Sequence, residues 1–168
     1  MGLISTFGLL GRTATLHIYA HQELEKLLKP HLDFFCQGMT YTVEFHTINP
    51  NKAEVIYEDR SLTVSTIPLR HRIPTCGFLF QEKQTPHHII RDMVDFYQVP
   101  VFELNRIKNG EDYVCPDGTV VPNHRLTRPS YPPRSYAYCS DTICLKSIVP
   151  QIKGVDLLFH EGTFAQCD

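Results

Sequence analysis

The sequence predicts a layered α/β (α+β) fold, because stretches of period two alternate with stretches of helical spacing along its 168 residues. Alternating strands are expected near 15–20, 42–48, 53–57, 62–67, 76–81 and 135–140, and Leu24, Leu27, Leu28, Leu32 and Phe35 recur as one helix face. A positional observation supports the layered reading. His71, Asp141 and the pair His160-Glu161 each follow the end of an expected strand, where side chains of layered folds project into a shared crevice.

Residues 1–12 have apolar residues at helical spacing and a glycine stop, with no N-terminal capping residue. Pro30 is expected to kink or divide the helix of 24–35. Asn49-Pro50-Asn51 reads as a turn joining two adjacent strands, and Asp59-Arg60 as another turn before the strand that runs into Pro68. The strand of 76–81 is expected beside it, antiparallel. From Glu82 to Pro133 the character changes. Ile89, Ile90, Met93, Val94, Phe96 and Tyr97 suit a short amphipathic helix, and Pro116-Asp117-Gly118 signals a hairpin between Tyr113-Val114 and Thr119-Val120-Val121. This stretch is expected to be an insertion into the core domain. A helix near 145–153 closed by Gly154 follows, and then Val155-Asp156-Leu157-Leu158-Phe159, whose apolar run reads as a buried strand.

A formal charge of −2 excludes a broadly basic nucleic-acid binder, so any such contact needs a local patch. His124-Arg125-Leu126-Thr127-Arg128 and the prolines after it offer one, against the commoner reading of a solvated loop. The six cysteines form no C-x-x-C pair, and Cys36, Cys76, Cys139 and Cys144 sit among apolar residues. Reduced thiols and a cytoplasmic location are expected. No apolar run is long enough to span a membrane.

Of the nine histidines, His17, His21, His31, His46, His87, His88 and His124 lack partners at ligand spacing and are assigned ordinary structural roles. His71 stands apart, flanked by Arg70 and Arg72 and followed by Pro74-Thr75-Cys76-Gly77. Asp141 follows four apolar or small residues, where a carboxylate must be paired, hydrogen-bonded or metal-bound. The competing reading makes it a cap on the next turn. Nitrogen and carboxylate donors from separate strand ends suit zinc, with manganese or iron as alternatives.

Together these segments resemble the ribonuclease Z family of the metallo-β-lactamase superfamily. The resemblance rests on His71-x-x-Pro74-x-x-Gly77-Phe78, Lys108-Asn109-Gly110, Pro116-Asp117-Gly118, Ser140-Asp141-Thr142 and His160-Glu161-Gly162-Thr163-Phe164, in that order. It implies a metallo-β-lactamase-like αββα sandwich, of which 1–168 would be an incomplete part, and a site holding two zinc ions. His71 would bind one ion and Asp141 would bridge both, while His160, Glu161 and Thr163 would form a supporting catalytic loop. Residues 82–133 would be a substrate-binding arm that grips transfer RNA, with Lys108, Arg125 and Arg128 as its candidate contacts. The implied activity is zinc-dependent removal of the 3′ trailer from precursor transfer RNA, in an enzyme that is a homodimer when complete.

The chain departs from the family pattern at named places. It contains no His-x-His-x-Asp-His run and ends before the family's last histidine ligand, so these 168 residues alone are expected to be inactive. Gly162 stands where the family has alanine, and Val99-Pro100-Val101-Phe102 replaces the arm's Gly-Pro-rich tip. Two other readings remain open. One is a different hydrolase of the superfamily acting on small phosphodiesters or esters; the other is a non-catalytic RNA-binding or interaction fragment.

Overall fold

The computed structural model describes residues 2–162, which divide into two compact units. The first draws on 2–58, 64–80 and 135–162; the second on Asp59–Thr63 and Gln81–Arg134.

In the first unit, helix α1 (Gly2–Leu9) ends at Gly11, whose φ of +76° is the left-handed value that glycine supplies without penalty. Strand β1 (Leu16–Ala20) leads to α2 (Gln22–Phe35), whose first turn is capped by His21 Nδ1 accepting from the Glu23 N–H. Pro30 lies inside α2 and does not divide it. Proline removes one backbone bond, but Leu32 in the following turn is buried with Ile4 and Tyr41, and that packing holds the helix together. Strand β2 (Val43–Thr47) pairs in parallel with β1, Leu16 opposite Val43 and Tyr19 opposite His46. Leu16, Ile18, Val43 and Phe45 cover the α1–α2 cluster, and the Tyr41 hydroxyl donates to the Ile4 carbonyl at 2.6 Å.

The expected pairing across Asn49-Pro50-Asn51 does not form. Strand β3 (Val55–Glu58) belongs to a different, five-stranded sheet in the order β11-β10-β5-β4-β3, with β4 at Leu62–Pro68, β5 at Cys76–Glu82, β10 at Ser135–Cys139 and β11 at Leu157–His160. Thr66 draws the chain there: its N–H donates to the Glu54 carbonyl at 2.9 Å, and its hydroxyl accepts from the Glu54 N–H at 3.1 Å. Ile67, Leu79, Ala137, Cys139 and Ile148 form the core of this sheet. A 3-10 turn (Lys146–Ile148) and α6 (Val149–Ile152) cover it, closed by Gly154 at φ +82°.

Strands β10 and β11 run parallel, Cys139 opposite His160. The expectation of a buried β11 is corrected. Leu157, Leu158 and Phe159 are 62%, 44% and 47% exposed, because β11 is the last strand of the described order and has a neighbour on one edge only. The all-reduced expectation is corrected at one position as well. Cys36, Cys76, Cys115 and Cys139 are free thiols, but Cys144 is disulfide-bonded. Tertiary proximity selects such a bond, and no local spacing rule reports it.

The second unit has its own core of Val94, Val99, Ile107, Tyr113, Val121 and Leu126. Strand β6 (His88–Ile89) pairs antiparallel with β9 (Thr127–Arg128), and the expected hairpin forms from β7 (Tyr113–Val114) and β8 (Val120–Val121). Its turn is held by Asp117 Oδ1 accepting from the Thr119 N–H at 2.9 Å. Short helices α3 (Arg91–Phe96), α4 (Leu104–Lys108) and α5 (Asn123–Leu126) complete the unit. Ile89, expected in the helix, is in β6, so α3 begins two residues later. No helix among the described residues is long and apolar enough to cross a membrane.

Candidate functional site

The ends of β4, β10 and β11 are tied together by hydrogen bonds that backbone N–H groups donate to carbonyl and side-chain oxygens. The Arg70 N–H donates to Thr142 Oγ1 at 3.2 Å, and the Ile143 N–H returns to the Arg70 carbonyl at 3.1 Å. The Thr142 N–H donates to Glu161 Oε1 at 2.6 Å, while the Glu161 N–H donates to the Cys139 carbonyl at 3.0 Å. Thr142 is only 3% exposed, so these bonds are shielded from water and leaving one unmade would be costly. His71 and Asp141 each sit one residue from a tied position, and both are exposed.

Asp141 has φ +56°, a conformation that aspartate tolerates better than most residues. The turn therefore places Thr142 inside and Asp141 outside. Among the described residues the Asp141 carboxylate caps no backbone group; Thr142 and Glu161 perform that task. Glu161 is thus a positioning residue, which local sequence could not reveal because its acceptor role spans 19 residues. The half-buried His160 directs Nδ1 at the Glu161 carbonyl, 2.6 Å away, so that nitrogen is the donor in this contact. Thr163 lies outside the described residues.

Gly77 supplies the close approach beneath these ends. A Cβ there would collide with the Tyr138 carbonyl oxygen and lie 3.3 Å from both Cys139 Sγ and Leu69 Cδ1. Burial also pushes the Cys139 and Cys76 thiols above their ordinary pKa, which keeps them protonated and unreactive.

His71 and Asp141 offer an imidazole and a carboxylate, the donor chemistry of a zinc-class ion. They fit part of a coordination shell. Neither belongs to a group of three histidine, cysteine or carboxylate donors among the described residues, whereas zinc takes four protein ligands, or three and water. A three-donor group does occur elsewhere in the first unit, at His17, Glu44 and His46 on β1 and β2. Sequence reasoning treated these histidines as unpartnered. The signal it could have used is His17-x-Tyr19 and Glu44-x-His46, two period-two pairs that a parallel register aligns.

Other histidines keep structural roles. His87 Nδ1 lies 3.2 Å from both Asn123 Oδ1 and Thr127 Oγ1, and His31 Nδ1 meets the Leu27 carbonyl at 2.7 Å. Lys108, Arg125 and Arg128 all lie in the second unit, exposed and without an ion-pair partner among the described residues. Arg106, in contrast, pairs with Glu103 and Glu111, and Arg134 with Glu82.

No family model matches the chain. Ribonuclease Z of Phocaeicola vulgatus is 71% identical over all 168 residues, which cover 54% of that protein. Ribonuclease Z of Bacteroides thetaiotaomicron is 67% identical over the same length, covering 53% of it, and that of Parabacteroides distasonis 56% over 167 residues, covering 55%. The short form of human tRNase Z matches in structure with a TM-score of 0.51 at 16% identity, over 97% of this chain and 52% of that one. That likeness shows the fold, which is the metallo-β-lactamase type expected. The chain spans about half the length of the curated relatives it matches, and along the whole of its own length it resembles the ribonuclease Z family.

Proposed function

We propose that this chain is part of a metal-dependent endoribonuclease that removes the 3′ trailer from precursor transfer RNA. The observation that carries the reading is the uninterrupted similarity, up to 71% identity, to proteins named ribonuclease Z. The strand-end geometry supports it. His71 and Asp141, the residues that would hold metal, are steadied through Arg70, Thr142 and Glu161 and left accessible. Zinc is the proposed ion, two per complete site with manganese as the alternative, and it would supply hydroxide near neutral pH and neutralise the leaving oxygen. Glu161 fixes the turn that carries Asp141, and His160 and Thr163 would act with it in supporting the site. The second unit would serve as the substrate-binding arm, with Lys108, Arg125 and Arg128, which are exposed on it, as the candidate contacts to phosphates. The complete enzyme is a cytoplasmic homodimer in this reading.

Cleavage of a precursor transfer RNA tests the proposal. A protein carrying this sequence at the length of its relatives should cut after the discriminator nucleotide. Asp141→Ala should lower that rate by well over the roughly 100-fold that losing an outer-shell partner of a metal costs. The 168 residues alone, with two of the needed donors, should show no cleavage. Undiminished activity in Asp141→Ala, or in the presence of a strong chelator, would sink the proposal.

A further inference from the structure

Strands β1 and β2 place His17, Tyr19, Glu44 and His46 on one face of their parallel sheet. The opposite face is committed to the α1–α2 core, so a register slip would bury these polar groups and is resisted. The face is therefore a fixed scaffold for the side chains on it. His17 Nδ1 lies 3.0 Å from His46 Nε2 and 3.3 Å from Glu44 Oε2. One ligand atom from each of the three residues falls within 4.8 Å of the other two. Atoms held about 2.1 Å from one ion are about 3.0 Å apart at a right angle and about 3.4 Å apart at the tetrahedral angle. The two measured separations fall within that interval.

The surroundings favour the same use. The Tyr19 ring stacks on His46 with centroids 4.5 Å apart and planes 15° from parallel, which restrains the imidazole. His17 and Glu44 are about half exposed, so an ion could enter and keep solvent on its remaining positions. From these contacts we infer that His17, Glu44 and His46 form a binding site for a divalent first-row transition ion, through two imidazole nitrogens and one carboxylate oxygen. Imidazole donors select this class over magnesium and calcium, which prefer oxygen. The site is on a different sheet from His71 and Asp141 and uses none of their residues. It does not depend on the proposed nuclease activity.

Cobalt(II) is the probe, since it enters zinc-type sites and its visible absorption reports nitrogen and oxygen coordination. Titration of the 168-residue chain with cobalt chloride should give a saturable band at one equivalent, displaced by zinc. His17→Ala and His46→Ala should each weaken the binding by about 100-fold or more, and Glu44→Gln, which preserves shape, by roughly 10-fold. His71→Ala and Asp141→Ala should leave the band in place. Far-UV circular dichroism of each variant separates loss of ligand from loss of fold, and the isosteric Glu44→Gln keeps the test valid if a histidine variant misfolds. Absence of a saturable band in the parent chain overturns the inference. So does a band that survives His17→Ala and Glu44→Gln, or one removed by Asp141→Ala instead, which would assign the ion to the strand ends.

Discussion

At the ends of β4 and β10, His71 and Asp141 are held through their neighbours; on the β1–β2 face, His17, Glu44 and His46 touch one another directly. The first arrangement relies on a buried threonine and a glutamate reaching across 19 residues. It leaves its donors exposed. The second relies on strand register alone, with each donor placed by the pleat and one ring braced by Tyr19. The difference shows two routes to a positioned side chain. One uses backbone bonds made by adjacent residues, and is sensitive to anything that moves the strands. The other uses the sheet face, and is sensitive mainly to its own side chains.

That contrast can be broken most severely at Gly77. Gly77→Ala forces a methyl group against the Tyr138 carbonyl and should destabilise the five-stranded sheet by about 1–3 kcal/mol, read from denaturant midpoints. Cobalt binding at β1–β2 by the folded fraction should be unaffected, and equal damage at both places would refute their independence.

Glu161→Gln is the finer probe of the strand-end ties. Glutamine still accepts from the Thr142 N–H but without charge, so the expected cost is about 1 kcal/mol, and a double-mutant cycle with Thr142→Val should show coupling. Additive effects would mean that the tie does not act as one unit. On the other face, Tyr19→Leu removes the ring stacked on His46 and should cost roughly 0.5–1 kcal/mol. An unchanged melting temperature would show that the ring braces nothing.

The smallest effect is a pH dependence outside both groupings, and it serves as a background. Hydrogen bonds from the Arg134 guanidinium, at 3.2 and 2.8 Å, hold the Glu82 carboxyl below its ordinary pKa of 4.5. A depressed carboxylate contributes stability that is complete above the unfolded value and is lost as pH falls through the folded one. The advantage of the parent chain over Glu82→Gln in thermal melts should be constant above about pH 5.5 and shrink below 4.5. A gap that widens on acidification would reverse the sign and remove the pair from the account.

Much of the architecture was legible locally. Period-two alternation located β1, β4, β5 and β10, and the Pro116-Asp117-Gly118 signal located the β7–β8 hairpin. Pairing was less legible. Asn49-Pro50-Asn51 has the composition of a hairpin turn, yet β2 joins β1 and β3 joins β4, because Val43 and Phe45 are needed on the α2 core and Thr66 bonds Glu54. The apolar run ending at Phe159 suggested burial, but composition does not say whether a strand has a neighbour on each edge.

By itself the sequence located most of the strands and helices, and it singled out strand-end residues of metal-binding type as candidates, since both follow from local periodicity and residue type. The tertiary structure decided what meets what. Only the parallel register brings His17 to within 3.0 Å of His46, 29 residues away, and only the packing of β4, β10 and β11 lets Glu161 brace the turn at Asp141. Such contacts depend on how apolar faces are buried across the whole chain, a sum over distant residues that no local window contains.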